Sequence, residues 1–122
     1  MKSFLIIGGI LLFFYVSYRT YRIATLDKGL GNKIEKGAII LDVRTAQEFN
    51  MSHINGSLNI SLGTIRERYV ELDPKKTYII CCSHGLRSVK AESILKEKGF
   101  KHVYNGGAWS DLEPLVNNVS SI

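Results

Sequence analysis

A chain of 122 residues with 45% hydrophobic content is long enough for one domain with a true core. Its formal charge of +5 is dispersed through Lys28, Lys33, Lys36, Lys75, Lys76, Lys90, Lys96, Lys98 and Lys101 with acids between them, which is the pattern of a solvated surface and not of a nucleic-acid footprint. The two cysteines, Cys81 and Cys82, are adjacent, which excludes a stapled scaffold, and no Cys/His spacing of the finger or ribbon type occurs, so neither a metal nor a cofactor is expected.

The run from Ser3 to Tyr18 carries no charge, with Lys2 before it and Arg19 and Arg22 after it. As a helix it spans about 24 Å, short of the roughly 30 Å hydrocarbon core of a bilayer. Tyr15, Tyr18 and Tyr21 suit the interface, and Lys2 and Arg19 can snorkel. The expectation is an uncleaved single-pass anchor over residues 1–24 followed by a domain over 25–122, placed in the cytoplasm by the greater positive charge after the span. A cleaved signal, giving a secreted or periplasmic domain, is the alternative. It needs small residues at the cleavage positions, and if Ser17 serves, Tyr15 stands at the other one.

Beyond the anchor the chain alternates in the manner of an α/β fold. Ala38 to Asp42 is a continuous apolar run, as a buried parallel strand should be. Thr45 and Glu48 have capping-box spacing, which predicts a short helix. Leu58 to Ile60 reads as a second strand. Ser61 caps a helix carrying Leu62, Ile65, Tyr69 and Leu72, ended by Asp73-Pro74. Tyr78 to Cys81 is the central strand, and Ser88 to Lys98 a helix stopped by Gly99. Val103-Tyr104 is a last short strand, Asn105-Gly106-Gly107 a turn, and Ala108 to Val116 a helix interrupted near Pro114.

The chemistry concentrates where the central strand ends. Cys82 opens a loop, Ser83-His84-Gly85-Leu86-Arg87-Ser88, that bends at a glycine into a helix. The thiolate is the reactive form of cysteine, and a helix N-terminus with a nearby cation favours it. Successive loop N–H groups form an anion-binding nest. In an open parallel sheet the functional crevice lies beyond the carboxyl ends of the strands, where Cys82 falls. Asp42 and Arg44 end the neighbouring strand and are read as organisers of the adjacent loops. His53 is read as a packed histidine bonded to backbone, Trp109 as core and Cys81 as a buried, inert thiol.

Three motifs carry a family resemblance. LDVRTAQEFNMSHINGSLNI (Leu41 to Ile60), CSHGLRS (Cys82 to Ser88) and YNGGAWSDL (Tyr104 to Leu112), in that order, resemble the single-domain rhodaneses, the thiosulfate sulfurtransferase family. The resemblance implies a three-layer fold with a central parallel sheet flanked by helices. It also implies a double displacement. Cys82 takes sulfane sulfur from thiosulfate or another donor as a persulfide, and hands it to cyanide, a small thiol or a protein thiol. Ser83, His84, Gly85, Leu86, Arg87 and Ser88 then surround the sulfur, with Arg87 either holding an anionic donor or bracing the loop through Asp42 or Glu48. Ser88 is a hydroxyl donor or a helix cap.

Two other classes remain open at this point. Counted from Cys81, the five residues before Arg87 give the Cys-x5-Arg spacing of a cysteine-dependent phosphatase or arsenate reductase. Against it, Ile80 stands where those phosphatases carry histidine, and Gly85 fits the shorter loop. A non-catalytic persulfide carrier or binding module is the other.

Overall fold

In the computed structural model, which describes residues 1–120, four parallel strands form one sheet in the order β2-β1-β3-β4. They are β1 (Ile39–Asp42), β2 (Leu58–Asn59), β3 (Tyr78–Cys82) and β4 (Val103–Ala108). Helices α1 (Lys2–Thr25), α2 (Leu30–Glu35), α3 (Ala46–Met51), α4 (Ile65–Arg68), α5 (Leu86–Glu97) and α6 (Trp109–Ser120) complete the chain. Short 3-10 turns at Leu62–Thr64 and Tyr69–Glu71 flank α4. The α/β architecture expected from the alternation is the one observed.

Side chains of a strand point alternately to its two faces, and both faces of a parallel sheet are covered. Leu41, Val43, Tyr78, Ile80 and Cys82 pack on one side with Ile65 of α4 and Ala91, Ile94 and Leu95 of α5. Ile40, Ile79 and Cys81 pack on the other with Leu30 of α2 and Leu112 of α6. The two cysteines therefore face opposite layers. The strict alternation along Ile79-Ile80-Cys81-Cys82 assigns Cys82 to the layer of α5, the helix that follows it.

Several boundaries differ from the sequence reading. β3 extends through Cys82, which pairs with Ala108. α5 begins at Leu86, two residues before Ser88, because Gly85 takes the left-handed conformation (φ 94°) and serves as its N-cap. Asn105-Gly106-Gly107 is not a turn but the middle of β4, with a register shift against Ile80 and Cys81. The run after Ser61 is broken into 3-10 and α segments. The helix after β4 runs through Pro114 to Ser120; the carbonyl that loses its N–H partner to the proline is that of Ser110, an exposed residue. The sequence reading had no element for α2. At six residues, with Leu30 alone fully buried, it leaves too little periodicity to detect.

Glycine is required at 106 by crowding. A Cβ there lies 2.7 Å from Ile79 Cγ2, 3.0 Å from Leu112 Cδ2 and 3.1 Å from the Ile80 carbonyl oxygen. The strand backbone cannot retreat, so Gly106→Ala is expected to cost about 1–3 kcal/mol by overpacking. Thermal melts of the variant against the parent check this. An unchanged Tm rules out the tight α6–sheet contact.

α1 is a single helix of 24 residues, with a span over Lys2–Ala24 of mean hydropathy 1.5 and no part of it buried. Length and composition suffice to cross a membrane, and a signal sequence passes the same test.

The segment after α1 runs along the outer edge of β4. The Asp27 N–H donates to the Asn105 carbonyl (3.2 Å), and the Asn105 N–H donates to Asp27 Oδ2 (2.6 Å). Burial, then the hydrogen bond with Asp27, raises the Glu92 carboxyl on α5 from 4.5 to about 7. Such an acid holds its proton more tightly folded than unfolded, so it stabilises the fold at low pH and that contribution is lost as pH rises from about 4.5 through about 7. Glu92→Gln should therefore raise Tm near about pH 8 and leave it little changed near about pH 4. Melts at both pH values check the sign, and equal effects would contradict it.

Candidate active site

The end of β3 delivers Cys82 directly beneath the first turn of α5, where helix N–H groups have no intrahelical acceptor. Two of the loop donors point at its sulfur: the Gly85 N–H at 2.9 Å and the Ser88 N–H at 3.4 Å. The Cys82 Sγ also lies 3.6 Å from Ser88 Oγ, and the residue is 1% exposed. The sulfur thus sits at the floor of a cradle of backbone donors with the positive end of the helix dipole above it. That arrangement suits a negatively charged sulfur. Among the described residues no cluster of His, Cys, Asp or Glu could hold a metal ion.

Ser88 is not the helix cap. It lies in the first turn, fully buried, and its hydroxyl donates to the Gly85 carbonyl (3.1 Å) or Asn105 Oδ1 (2.6 Å). Asn105, which the sequence reading placed in a turn, is 1% exposed, and its Oδ1 also accepts the Gly107 N–H at 3.0 Å. It ties the loop to the bulge of β4. An asparagine beside two glycines reads as a turn, which is why its part was missed.

Arg87 makes a bidentate pair with Glu48, Nη1 to Oε1 at 2.8 Å and Nη2 to Oε2 at 3.0 Å, and Nη2 also donates to Ser83 Oγ at 2.9 Å. Ser83 Oγ donates in turn to Glu48 Oε2 (2.9 Å). The same carboxylate closes the predicted capping box, accepting from the Thr45 N–H at 3.2 Å while the Thr45 hydroxyl accepts from the Glu48 N–H at 3.2 Å. The Arg87 guanidinium, then the Ser83 and Thr45 donors, hold the Glu48 carboxyl well below the usual carboxylate range. Glu48 thus fastens the loop to α3. Of the two partners considered for Arg87, it is Glu48 that takes it. His84 is exposed on the loop, and Leu86 presents an apolar side chain 54% exposed on its rim.

Asp42 and Arg44 form a buried pair beside this loop. Arg44 Nη2 to Asp42 Oδ2 is 2.7 Å, Nε reaches both carboxylate oxygens at 3.0 Å, and Nη2 also donates to the Ser52 carbonyl at 2.7 Å. The Arg44 guanidinium stacks 4.8 Å from the Trp109 ring centroid, and Trp109 is half-buried, not wholly core. His53 Nδ1 lies 2.7 Å from the Phe49 carbonyl, and its ring stacks on Phe49. Cys81, facing the opposite layer, is 0% exposed, and burial pushes its thiol well up.

The thiosulfate sulfurtransferase PspE of Escherichia coli is 35% identical over 74 residues, 59% of this chain and 71% of PspE. The thiosulfate sulfurtransferase GlpE of Pseudomonas savastanoi is 35% identical over 71 residues, 58% of this chain and 67% of GlpE. A solved structure of an E. coli rhodanese with anions is 32% identical at a TM-score of 0.58, covering 62% of this chain and 91% of that one. Residues 26–109 match the rhodanese-like domain as a family, and with the parallel sheet, the cysteine at the end of its central strand and these relatives, the chain belongs to the rhodanese-like sulfurtransferase family.

Proposed function

We propose that this chain is a thiosulfate sulfurtransferase-like enzyme that carries sulfane sulfur as a persulfide on Cys82, held at a membrane by α1 with its domain in the cytoplasm. The observation that carries the reading is the pair of N–H groups, from Gly85 and Ser88, aimed at Cys82 Sγ. The thiolate attacks the outer sulfur of thiosulfate. The S–S bond breaks and sulfite leaves with its electron pair, leaving Cys82 as the persulfide. A thiophilic acceptor, cyanide in an assay or a small or protein thiol, then attacks the outer sulfur and regenerates the thiolate. Both steps place negative charge where the loop donors converge, and the charge is stabilised by dipoles already in position. Ser83, His84 and Leu86 form the rim that donor and acceptor must pass. Arg87 keeps the loop shaped through Glu48, whose carboxylate balances its charge.

The test is intact mass of the full chain in detergent, before and after thiosulfate, then a cyanide chase and peptide mapping. A gain of one sulfur on Cys82 that cyanide removes is the expected result. No gain in folded, reduced protein would overturn thiosulfate as donor. Intact mass also reads the anchor, since a chain lacking its first residues would show α1 to be a cleaved signal.

A further inference from the structure

About twenty helical residues are needed to cross a hydrocarbon core of about 30 Å, which leaves about 6 Å of a 24-residue helix for the headgroup layers on both sides. Any tilt shortens that margin. A membrane-spanning α1 therefore ends within the headgroup layer.

The domain begins there without slack. Arg22 Nη2 pairs with Asp111 Oδ2 on the first turn of α6 at 2.8 Å. Leu26 Cδ1 lies against Gly107, 2.9 Å from where a Cβ would stand. Asp27 and Asn105 exchange hydrogen bonds along the edge of β4. The same corner is the carboxyl end of the sheet. Gly107 packs against Gly85, whose N–H holds the Cys82 sulfur, and Ala108 pairs with Cys82. A cavity of about 300 Å³ opens in this corner, lined by Arg19, Arg22, Ile23, Leu26, Asp111 and Leu115 among others. Arg22 is taken up by Asp111, which leaves the Arg19 guanidinium beside an apolar floor as the cation that suits the phosphate and glycerol region of a phospholipid. The exposed Leu86 on the loop rim is a side chain a lipid interface tolerates.

Charge alone favours the opposite pose. Lys33, Lys36, Lys75 and Lys76 surround a second cavity with Ile39 and Thr77, at the amino ends of the strands, and lysines are drawn to anionic leaflets. The bonded connection between α1 and β4 overrides that attraction, because rotating the lysine end toward the bilayer breaks the Arg22, Leu26 and Asp27 contacts together.

We propose that the Cys82 end of the sheet is seated on the phospholipid headgroups of the membrane that α1 enters, with the lysine-rich end directed away, so that sulfur is received and delivered at the bilayer surface. This rests on the reading of α1 as an uncleaved span. Donors and acceptors then reach Cys82 from the lipid surface or through the narrow space beside the rim.

Trp109 is the sole tryptophan and follows directly on Ala108, the register partner of Cys82, so its fluorescence reports this end. The full chain is reconstituted in vesicles of phosphatidylcholine and phosphatidylglycerol bearing a headgroup nitroxide. Its quenching is compared with that of Lys75→Trp in a Trp109→Phe background, a reporter on an exposed loop at the far end. Flotation with the vesicles is scored in parallel. Quenching of Trp109 several-fold stronger than that of Lys75→Trp is the expected result. Equal or reversed quenching in protein that floats overturns the orientation and leaves the anchor standing, whereas protein that does not float overturns both. Circular dichroism of the two proteins, required to match, ensures that the comparison is between folded chains.

Discussion

Cys82→Ser should abolish persulfide formation and thiosulfate:cyanide sulfur transfer, a loss on the order of 10³-fold or more, while Cys81→Ala keeps most of both. The adjacency of the two thiols makes this a sharp contrast. The side chains leave a strand on opposite faces, so only Cys82 meets the first turn of α5 and its Gly85 and Ser88 donors. Cys81 lies among Leu30, Ile40, Ile54, Ile79 and Leu112, and burial, reinforced by the charge of Asp42, raises its thiol so that the neutral form prevails. Alanine is the better probe at Cys81, because a serine hydroxyl without a partner there costs about 1–3 kcal/mol and would confound folding with chemistry. The measurements are steady-state transfer and intact mass after thiosulfate. Activity lost in Cys81→Ala and kept in Cys82→Ser would move the nucleophile one residue back and restore the Cys-x5-Arg reading, with an aryl phosphate assay as its test.

The parts of this arrangement that the sequence discloses are those encoded by short-range pattern. The apolar runs at Ala38–Asp42 and Tyr78–Cys81 have no polar face to hide, so they announce a doubly covered sheet. Thr45 and Glu48 announce a cap through a fixed spacing of three. The loop from Cys82 to Ser88 is contiguous, and its glycine and arginine are read in place. What escapes is what depends on distance along the chain. The partner of Arg87 is 39 residues away, so sequence offers Asp42 and Glu48 equally and only packing chooses. Asn105 acts on the loop from another strand, through Ser88, and its local neighbours mimic a turn. The crowding at Gly106 likewise comes from Ile79 and Leu112, neither of which is near it in sequence. The start of α5 moved because Gly85 adopts a left-handed conformation that caps the helix without a side chain, so the more familiar serine cap signal at Ser88 misleads.

The largest stability effect is expected at Arg44. Asp42 is 0% exposed, and the Arg44 side chain meets both of its oxygens. Arg44→Met leaves a carboxylate inside the sheet's end with the Arg44 N–H (3.0 Å) as its remaining donor from this pair, and removing one member of a buried pair costs about 3–5 kcal/mol. For a domain of this size that is a drop in Tm of more than about 10 °C. Asp42→Asn should cost less, because the stranded guanidinium keeps the Ser52 carbonyl and the face of Trp109, and a cation on an aromatic ring is partly compensated. The double variant should recover part of the Arg44→Met loss, since an amide and a thioether strand no charge. Denaturant melts of the three variants measure this order. A small and equal loss in both single variants would mean that water reaches the pair. The position of the pair gives the order its functional weight. Arg44 ties the Ser52 loop, the end of β1 and Trp109 of α6 into one corner, and Trp109 follows Ala108, which pairs with Cys82. A loss of transfer in Arg44→Met should therefore be judged against its loss of folded protein, with activity per folded molecule as the quantity compared.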